Sequence, residues 1–410
     1  MSDNKLALNG GTPVKTGRYG TGVRYTEPER QEVLESLDSG RISYWSKNKV
    51  NKFCSTVTEY FDIPYCAGCS SGSAALHAAV GALEIEPGYE VITSPITDMG
   101  TLIGILYQNL IPVFADVDPH TYNITADSIA KVITPRTRGI IVVHLAGNPC
   151  DMEPIMELSR AKGIPVIEDC AQCYGALYKG RKAGTIGDIG AFSLNESKHL
   201  SSGEGGFCIT ANEKYYVLCH NYMDKYYDRL NRGGRMSRLA PCYRLSELQY
   251  AVATAQFGKL DSIIAARRAY AAKINDGLKD ISGIVLPEIV PGAESAWWFY
   301  MFRLIPGKFK GEAKAFAEAM CAEGAAASAG YIPRPIYQEE LFAKKSFFPG
   351  NVWPAEIISG QKYSYTPGLC PVAEEVLQTA IRMPVSEFYS NTDAEDTIKA
   401  VRKVAAALAN

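Results

Sequence analysis

Between about Tyr60 and Thr210, short apolar runs alternate with amphipathic stretches, the rhythm of strand–helix–strand units that build a parallel sheet. The runs EVITSP (90–95), IPVFADVD (111–118), GIIVVHLAG (139–147), IPVIEDC (164–170), IGAFSL (189–194) and GGFCIT (205–210) predict strands. SAALHAAVGAL (73–83), TADSIAKVI (125–133) and EPIMELSRAKG (153–163) predict helices between them. In an open α/β sheet, ligands bind beyond the carboxyl ends of the strands. Polar residues just past an apolar run are therefore the candidates: Asp98, His144, Asp169 and Ser193.

From about Ser246 the pattern turns helical, with apolar positions at helical spacing through SELQYAVATAQFGKLDSIIAARRAYAAKINDGL. WWFYMFRLI (297–305), GEAKAFAEAMCAEG (311–324) and the stretch 392–410 then predict a smaller α+β unit closed by a C-terminal helix. Residues 328–371, rich in Gly, Pro and aromatics, read as an irregular loop of a length that is commonly functional or mobile. The expected organisation is an N-terminal segment (1–25), a large α/β domain (26–260) and a small C-terminal α+β domain (261–410).

Composition narrows the class. The 410 residues carry 42 Lys plus Arg against 44 Asp plus Glu, a near balance that argues against nucleic acid or an anionic membrane surface as partner. With 47% hydrophobic and 21% charged residues, the chain has apolar side chains enough for packed cores, and its length suits two or three domains of roughly 100–200 residues. No window reaches the ~18 apolar residues of a membrane span, and MSDNKLALNGG lacks a signal peptide's apolar run; the reading is cytoplasmic. Eleven cysteines, an odd number, then predict buried thiols and no disulfide framework. Cys66/Cys69 and Cys170/Cys173 have C-x-x-C spacing, but the two pairs lie far apart for a zinc ribbon, and the five histidines show no ligand spacing. No metal is expected.

Four local signals are in the order that a phosphate-bearing aldehyde cofactor would need. In CSSGSAALHAA (69–79), free backbone amides of Gly72, Ser73 and Ala74 at a helix start offer an anion cradle; a plain serine-capped helix explains the same residues. Asp169, ending a very apolar strand, is a partly desolvated carboxylate suited to a protonated ring nitrogen, or else a helix cap. By strand alternation Glu168 faces the other way. Lys198 lies in a polar, glycine-flanked loop between two strands, where its amine can form a Schiff base, with Ser193 as a hydroxyl for phosphate. Gly203, Gly205 and Gly206 let backbone approach a ligand or a neighbouring subunit.

Together these segments resemble the DegT/DnrJ/EryC1/StrS group of sugar aminotransferases, which have the type I fold of enzymes dependent on pyridoxal phosphate. SSGSAALHAA, PGYEVIT, IPVFADVDPHTYNI, ITPRTRGIIVVHLAGNPCDM, VIEDCAQCYGALYKGRKAGTIGDIGAFS, SKHLSSGEGG, YRLSELQ and CPVAEE carry the resemblance along nearly the whole chain. It implies that Lys198 bonds the cofactor and shuttles protons. Asp169 would hold the pyridine nitrogen, and Gln172 would lie by the ring. Gly72, Ser73 and Ser193 would bind phosphate, with Ala74 and Asp98 in the same cofactor-contacting set. It also implies a homodimer with shared sites, and transfer of an amino group from glutamate or glutamine to a keto sugar, with a nucleotide-linked sugar favoured.

Two positions depart from the family pattern: Thr97-Asp98 where an aromatic residue would stack on the cofactor, and Cys242 in Cys-Tyr-Arg where a neighbouring subunit's Asn would reach the phosphate. Tyr44, Trp45 and His199 are candidates for substrate contact. The alternatives are a cyclitol aminotransferase, suggested by the opening NGGTPVK, a sugar dehydratase of the same fold, and a non-catalytic regulator that kept the cofactor fold. Lys198 speaks against the dehydratases, which carry His there.

Overall fold

Each apolar run named between residues 90 and 210 becomes a strand in the computed structural model, which describes residues 5–231 and 236–410. In chain order the strands are β1 (Tyr65–Cys69), β2 (Glu90–Thr93), β3 (Ile111–Phe114), β4 (Thr137–Val143), β5 (Val166–Asp169), β6 (Leu177–Tyr178), β7 (Arg181–Lys182), β8 (Ile189–Ser193) and β9 (Gly206–Thr210). The later ones are β10 (Ile284–Val285), β11 (Ala293–Glu294), β12 (Phe299–Leu304), β13 (Ser328–Ala329) and β14 (Ala380–Pro384).

Seven of them form one sheet in the order β1-β9-β8-β5-β4-β2-β3. The pairs β2–β3, β2–β4, β4–β5 and β5–β8 are parallel. β9 is antiparallel to both of its neighbours, because the loop 194–205 returns from β8 directly instead of crossing through a helix. That return loop carries Lys198. Phe192 and Phe207 face one another across the antiparallel pair, with rings stacked at 4.7 Å.

The edge strand β1 is unannounced by pattern, since YCAGC has no β-branched residue. Its Gly68 is explained by packing: a Cβ there would lie 2.4 Å from the Tyr250 hydroxyl. The helix Met99–Tyr107 is also unannounced. It is apolar nearly throughout and so shows no amphipathic period. The three expected helices stand at Gly72–Ala82, Ala126–Val132 and Met152–Lys162.

Past Ser246, the helical stretch is two helices, Glu247–Phe257 and Leu260–Leu278, divided at Gly258. The second sheet runs β10-β12-β14-β13 and is antiparallel throughout. Helices Glu312–Ala322 and Asn391–Leu408 share its core with Phe302, Phe316 and Val401. The segment 328–371 is irregular as expected, but it is packed: Tyr337, Phe342, Trp353 and Tyr365 are buried, and three of their rings surround Phe114 of β3. No described helix is long and apolar enough to cross a membrane.

Candidate active site

The carboxyl ends of β2, β5 and β8, the start of helix Gly72–Ala82 and the loop 194–205 enclose a cavity of about 350 Å³. Gly72, Ser73, Asp98, Asp169, Gln172, Ser193 and Lys198 all line it.

The helix start behaves as its sequence asks, with one correction. Ser71 caps the helix, its Oγ accepting the Ala74 amide at 3.0 Å. The Ala74 N–H is therefore spent on the cap and does not belong to the free set expected of it. The Gly72 and Ser73 amides have no partner among the described residues and remain at the positive end of the helix. Gly72 is required for closeness: a Cβ there would sit 2.6 Å from the Ser193 Cβ. Gly206 is required likewise, since its Cβ would meet the Ser71 carbonyl oxygen at 2.3 Å. The Ser193 hydroxyl faces this corner and accepts the Asn195 amide at 3.3 Å.

Asp169 is buried at the end of β5. It accepts hydrogen bonds from the Thr101 hydroxyl at 2.7 Å and the Ala171 amide at 3.1 Å. Among the described residues no cation pairs with it directly. Burial pushes its carboxyl above the usual range, with the Thr101 and Ala171 bonds pulling the other way. Glu168 faces the opposite side, as alternation requires. Burial there is outweighed by His144 at 2.9 Å and the amides of Gly184, Ile186 and Gly187, which hold its carboxyl below the usual value.

Lys198 projects into the cavity from the return loop. Its amine makes no hydrogen bond or ion pair among the described residues and lies 3.6 Å from the centre of the Trp298 ring. Burial lowers it to about 8, while Asp169 and Asp98 act in the opposite sense. Gln172 accepts the Ala146 amide at 2.8 Å and donates to the Tyr331 hydroxyl at 3.4 Å. Asp98 caps the helix Met99–Tyr107, accepting the Gly100 amide at 2.8 Å.

Five residues singled out in the sequence lie outside the lining of this cavity. His144 lies behind the sheet on Glu168, and its Nδ1 accepts the Cys150 amide at 3.0 Å. His144, Cys170 and Cys173 do bring three potential ligand atoms within 4.8 Å of one another, but both histidine nitrogens are already engaged. Tyr44 and Trp45 do not line the cavity: Tyr44 is a core residue bonded to His220, and Trp45 lies under the guanidinium of Arg229. His199 is fully buried with Nε2 on the Ala296 carbonyl at 3.0 Å, facing away from the lysine beside it. Cys242 is exposed, its sulfur accepting from Arg244 Nε at 3.2 Å.

Thr101, Trp298, Tyr331, Asn195, Ser197 and Glu204 also line the cavity without having been singled out. Thr101 follows a strand end closely enough to have been found by the crevice rule. Trp298 was hidden inside an apolar run that reads as core.

Comparisons with known proteins show the family. The DegT/DnrJ/EryC1/StrS aminotransferase family model matches residues 24–402. The L-glutamine:2-deoxy-scyllo-inosose aminotransferase of Streptomyces kanamyceticus is 33% identical over 360 residues, covering 82% of this chain and 83% of that one. A GDP-perosamine synthase of Caulobacter vibrioides is 34% identical over 284 residues, covering 68% and 75%. The aminotransferase structure from Psychrobacter cryohalolentis superposes with a TM-score of 0.84 at 28% identity, over 95% of this chain and 99% of that one. With Lys198 and Asp169 in one pocket of this fold, the chain belongs to the DegT/DnrJ/EryC1/StrS aminotransferase family and is a pyridoxal-phosphate-dependent aminotransferase of type I fold.

Proposed function

We propose that the protein moves an amino group from glutamate or glutamine to the carbonyl carbon of a keto sugar, through Lys198 and Asp169. The observation that carries this reading is the sharing of one cavity by an unpartnered lysine amine, a buried carboxylate without a cation, and two free helix-start amides. These groups fit pyridoxal phosphate. Gly72, Ser73 and Ser193 would take the phosphate, Asp169 the ring nitrogen, Gln172 the ring edge, and Lys198 the aldehyde carbon. Ala74 stands behind them as part of the capped helix turn, and Asp98 lines the wall where an aromatic ring would otherwise stack. When bound, the cofactor supplies an electron sink for the charge left on carbon as a proton departs.

The protein's own contribution follows from burial and charge. Asp169, ionised against a protonated ring nitrogen, would keep that ring electron-withdrawing. A Lys198 amine near about 8 is partly free base at neutral pH, so it can take a proton from the donor's α-carbon and return it one position away. The Trp298 and Tyr331 rings line the cavity beside that amine.

A cyclitol ketone is a second acceptor class, favoured by the inosose aminotransferase, which covers more of the chain than the perosamine synthase does. We also infer a homodimer with shared sites, and a division of the chain near residue 260 in which the segment 331–373 folds back onto the first part's core.

The test is spectroscopic. Glutamate or glutamine should bleach the visible band of the cofactor-loaded protein, and a keto sugar or inosose should restore it. A band indifferent to both donors would leave a cofactor-binding protein and end the transaminase reading. Separately, Gly72→Ala should destabilise the folded protein by on the order of 1–3 kcal/mol, because a Cβ there would sit 2.6 Å from the Ser193 Cβ; chemical denaturation of the cofactor-free protein reads this directly.

A further inference from the structure

The free amine of Lys198 is held by an aromatic face and not by a hydrogen bond. Its nitrogen sits 3.6 Å from the centre of the Trp298 ring, a position in which the ring's negative face attracts a cation. The indole itself is fixed. Its N–H donates to the Ser197 carbonyl at 2.7 Å, one residue before the lysine, and the Tyr331 ring lies edge-on at 6.0 Å.

The backbone that delivers it is strained at two places that face each other. Ala146 has φ +59° and Trp297 φ +52°, conformations that are costly for side-chain-bearing residues. The two stretches are joined by Trp298 N–H to the Ala146 carbonyl at 2.8 Å and Ala296 N–H to the Gly147 carbonyl at 2.9 Å. A Cβ on Gly147 would lie 2.7 Å from the Trp297 nitrogen. Strain of this kind persists where the surroundings over-determine it, and its consequence here is an indole laid over one amine.

We propose that Trp298 is a positioning residue, its indole face being the seat that holds the protonated amine of Lys198 whenever that amine is not bonded to the cofactor. The inference rests on the functional reading above. It explains how an amine without a hydrogen-bond partner keeps its aim between the two halves of a transfer. The other titratable groups around it are Asp169 at the end of β5, Asp98 at the start of helix Met99–Tyr107, Glu204 on the return loop and Tyr331 after β13; His199 turns away. None of them changes in the test below.

The test uses cofactor-free protein and two probes. Pyridoxal phosphate is added at a series of pH values and its capture followed by absorbance, so that the midpoint of the rate profile reports the ionisation of the amine. Pyridoxine 5′-phosphate, which has no aldehyde, checks that the pocket is intact. A seat for the cation and a mere shield from water move the midpoint in opposite directions. Removing a seat destabilises the ammonium and lowers the midpoint; removing a shield admits water and raises it.

Trp298→Leu and Trp298→Met should lower the midpoint by roughly half a unit to one unit, the shift expected of a ring–cation contact of ordinary strength. Trp298→Phe, whose ring holds cations more weakly than indole, should lower it by less. An unchanged or raised midpoint in the variants that still bind pyridoxine 5′-phosphate overturns the proposal. Should neither non-aromatic variant bind that analogue, the Phe variant decides by the same sign. Wild-type protein that captures no pyridoxal phosphate, or a Lys198→Ala protein that captures it equally well, would instead refute the functional reading.

Discussion

Lys198→Ala should reduce turnover by about 10⁴-fold or more and remove the cofactor's visible band, with the fold intact. One side chain supplies both the covalent attachment and the proton transfer, and the latter alone is worth about 10²–10⁴-fold. Unfolding is not the expected cause of the loss. A buried ammonium with no hydrogen-bond partner is a burden on the folded state, and burial has already lowered the amine to about 8 from an ordinary 10.5.

The sign of the pH dependence follows. Between about 8 and 10.5 the unfolded chain holds the proton and the folded one does not, so folded stability rises with pH across that window. Below it the full cost applies, on the order of 3 kcal/mol at most. Cofactor-free Lys198→Ala should therefore be at least as stable as wild type at pH 7, and the gap should close as pH rises towards 10.5. Thermal melts of the two cofactor-free proteins across that range measure it. A variant that melts early, or one that keeps near wild-type turnover, would contradict the assignment.

Asp169→Asn carries the second large effect, with activity and stability moving in opposite directions. Losing one partner of a buried charge pair costs about 2–5 kcal/mol, which is a hundredfold or more in rate if the pair with the ring nitrogen is kept through the reaction. Without cofactor the same carboxylate is a liability. Burial raises its pKa above the usual 3.8, so whatever stability it contributes is present at acidic pH and lost as pH rises through the folded value. An amide of the same shape still accepts the Ala171 N–H with its oxygen and turns its NH2 towards the Thr101 hydroxyl, which then accepts, and it carries no charge to bury. The variant should melt higher than wild type at pH 8 when both lack cofactor, and gain less than wild type when cofactor is added. A variant less stable without cofactor and equally active with it would show that Asp169 is only a cap.

The sheet was legible because its strands are buried on both faces and so read as unbroken Val, Ile and Phe runs. β1 was not, since four of its five residues are small and none is β-branched, and its Gly68 is set by the Tyr250 ring packed on it. The site was legible where function sits on local chemistry: a serine-capped helix start, a carboxylate at a strand end, a lysine in a polar loop. Ala74 shows the limit of that reading, because a hydrogen bond from its amide to Ser71 removes a donor that the bare sequence counts as free. His199 shows another, since adjacency to a reactive residue in sequence says nothing about which way a ring turns, and Tyr44 and Trp45 show that an aromatic pair reads the same in sequence wherever it packs.

Along the chain alone, six strands of the large sheet, the cradle glycine, Asp169, Lys198 and the family they resemble were already legible, because each depends on neighbours within a few residues. Only the folded molecule decided that Thr101 holds the Asp169 carboxylate and that Trp298, a hundred positions downstream, covers the lysine amine. Those contacts join segments whose separation in sequence is set by how sheets and loops pack. No local pattern of hydrophobic and polar residues records such a meeting.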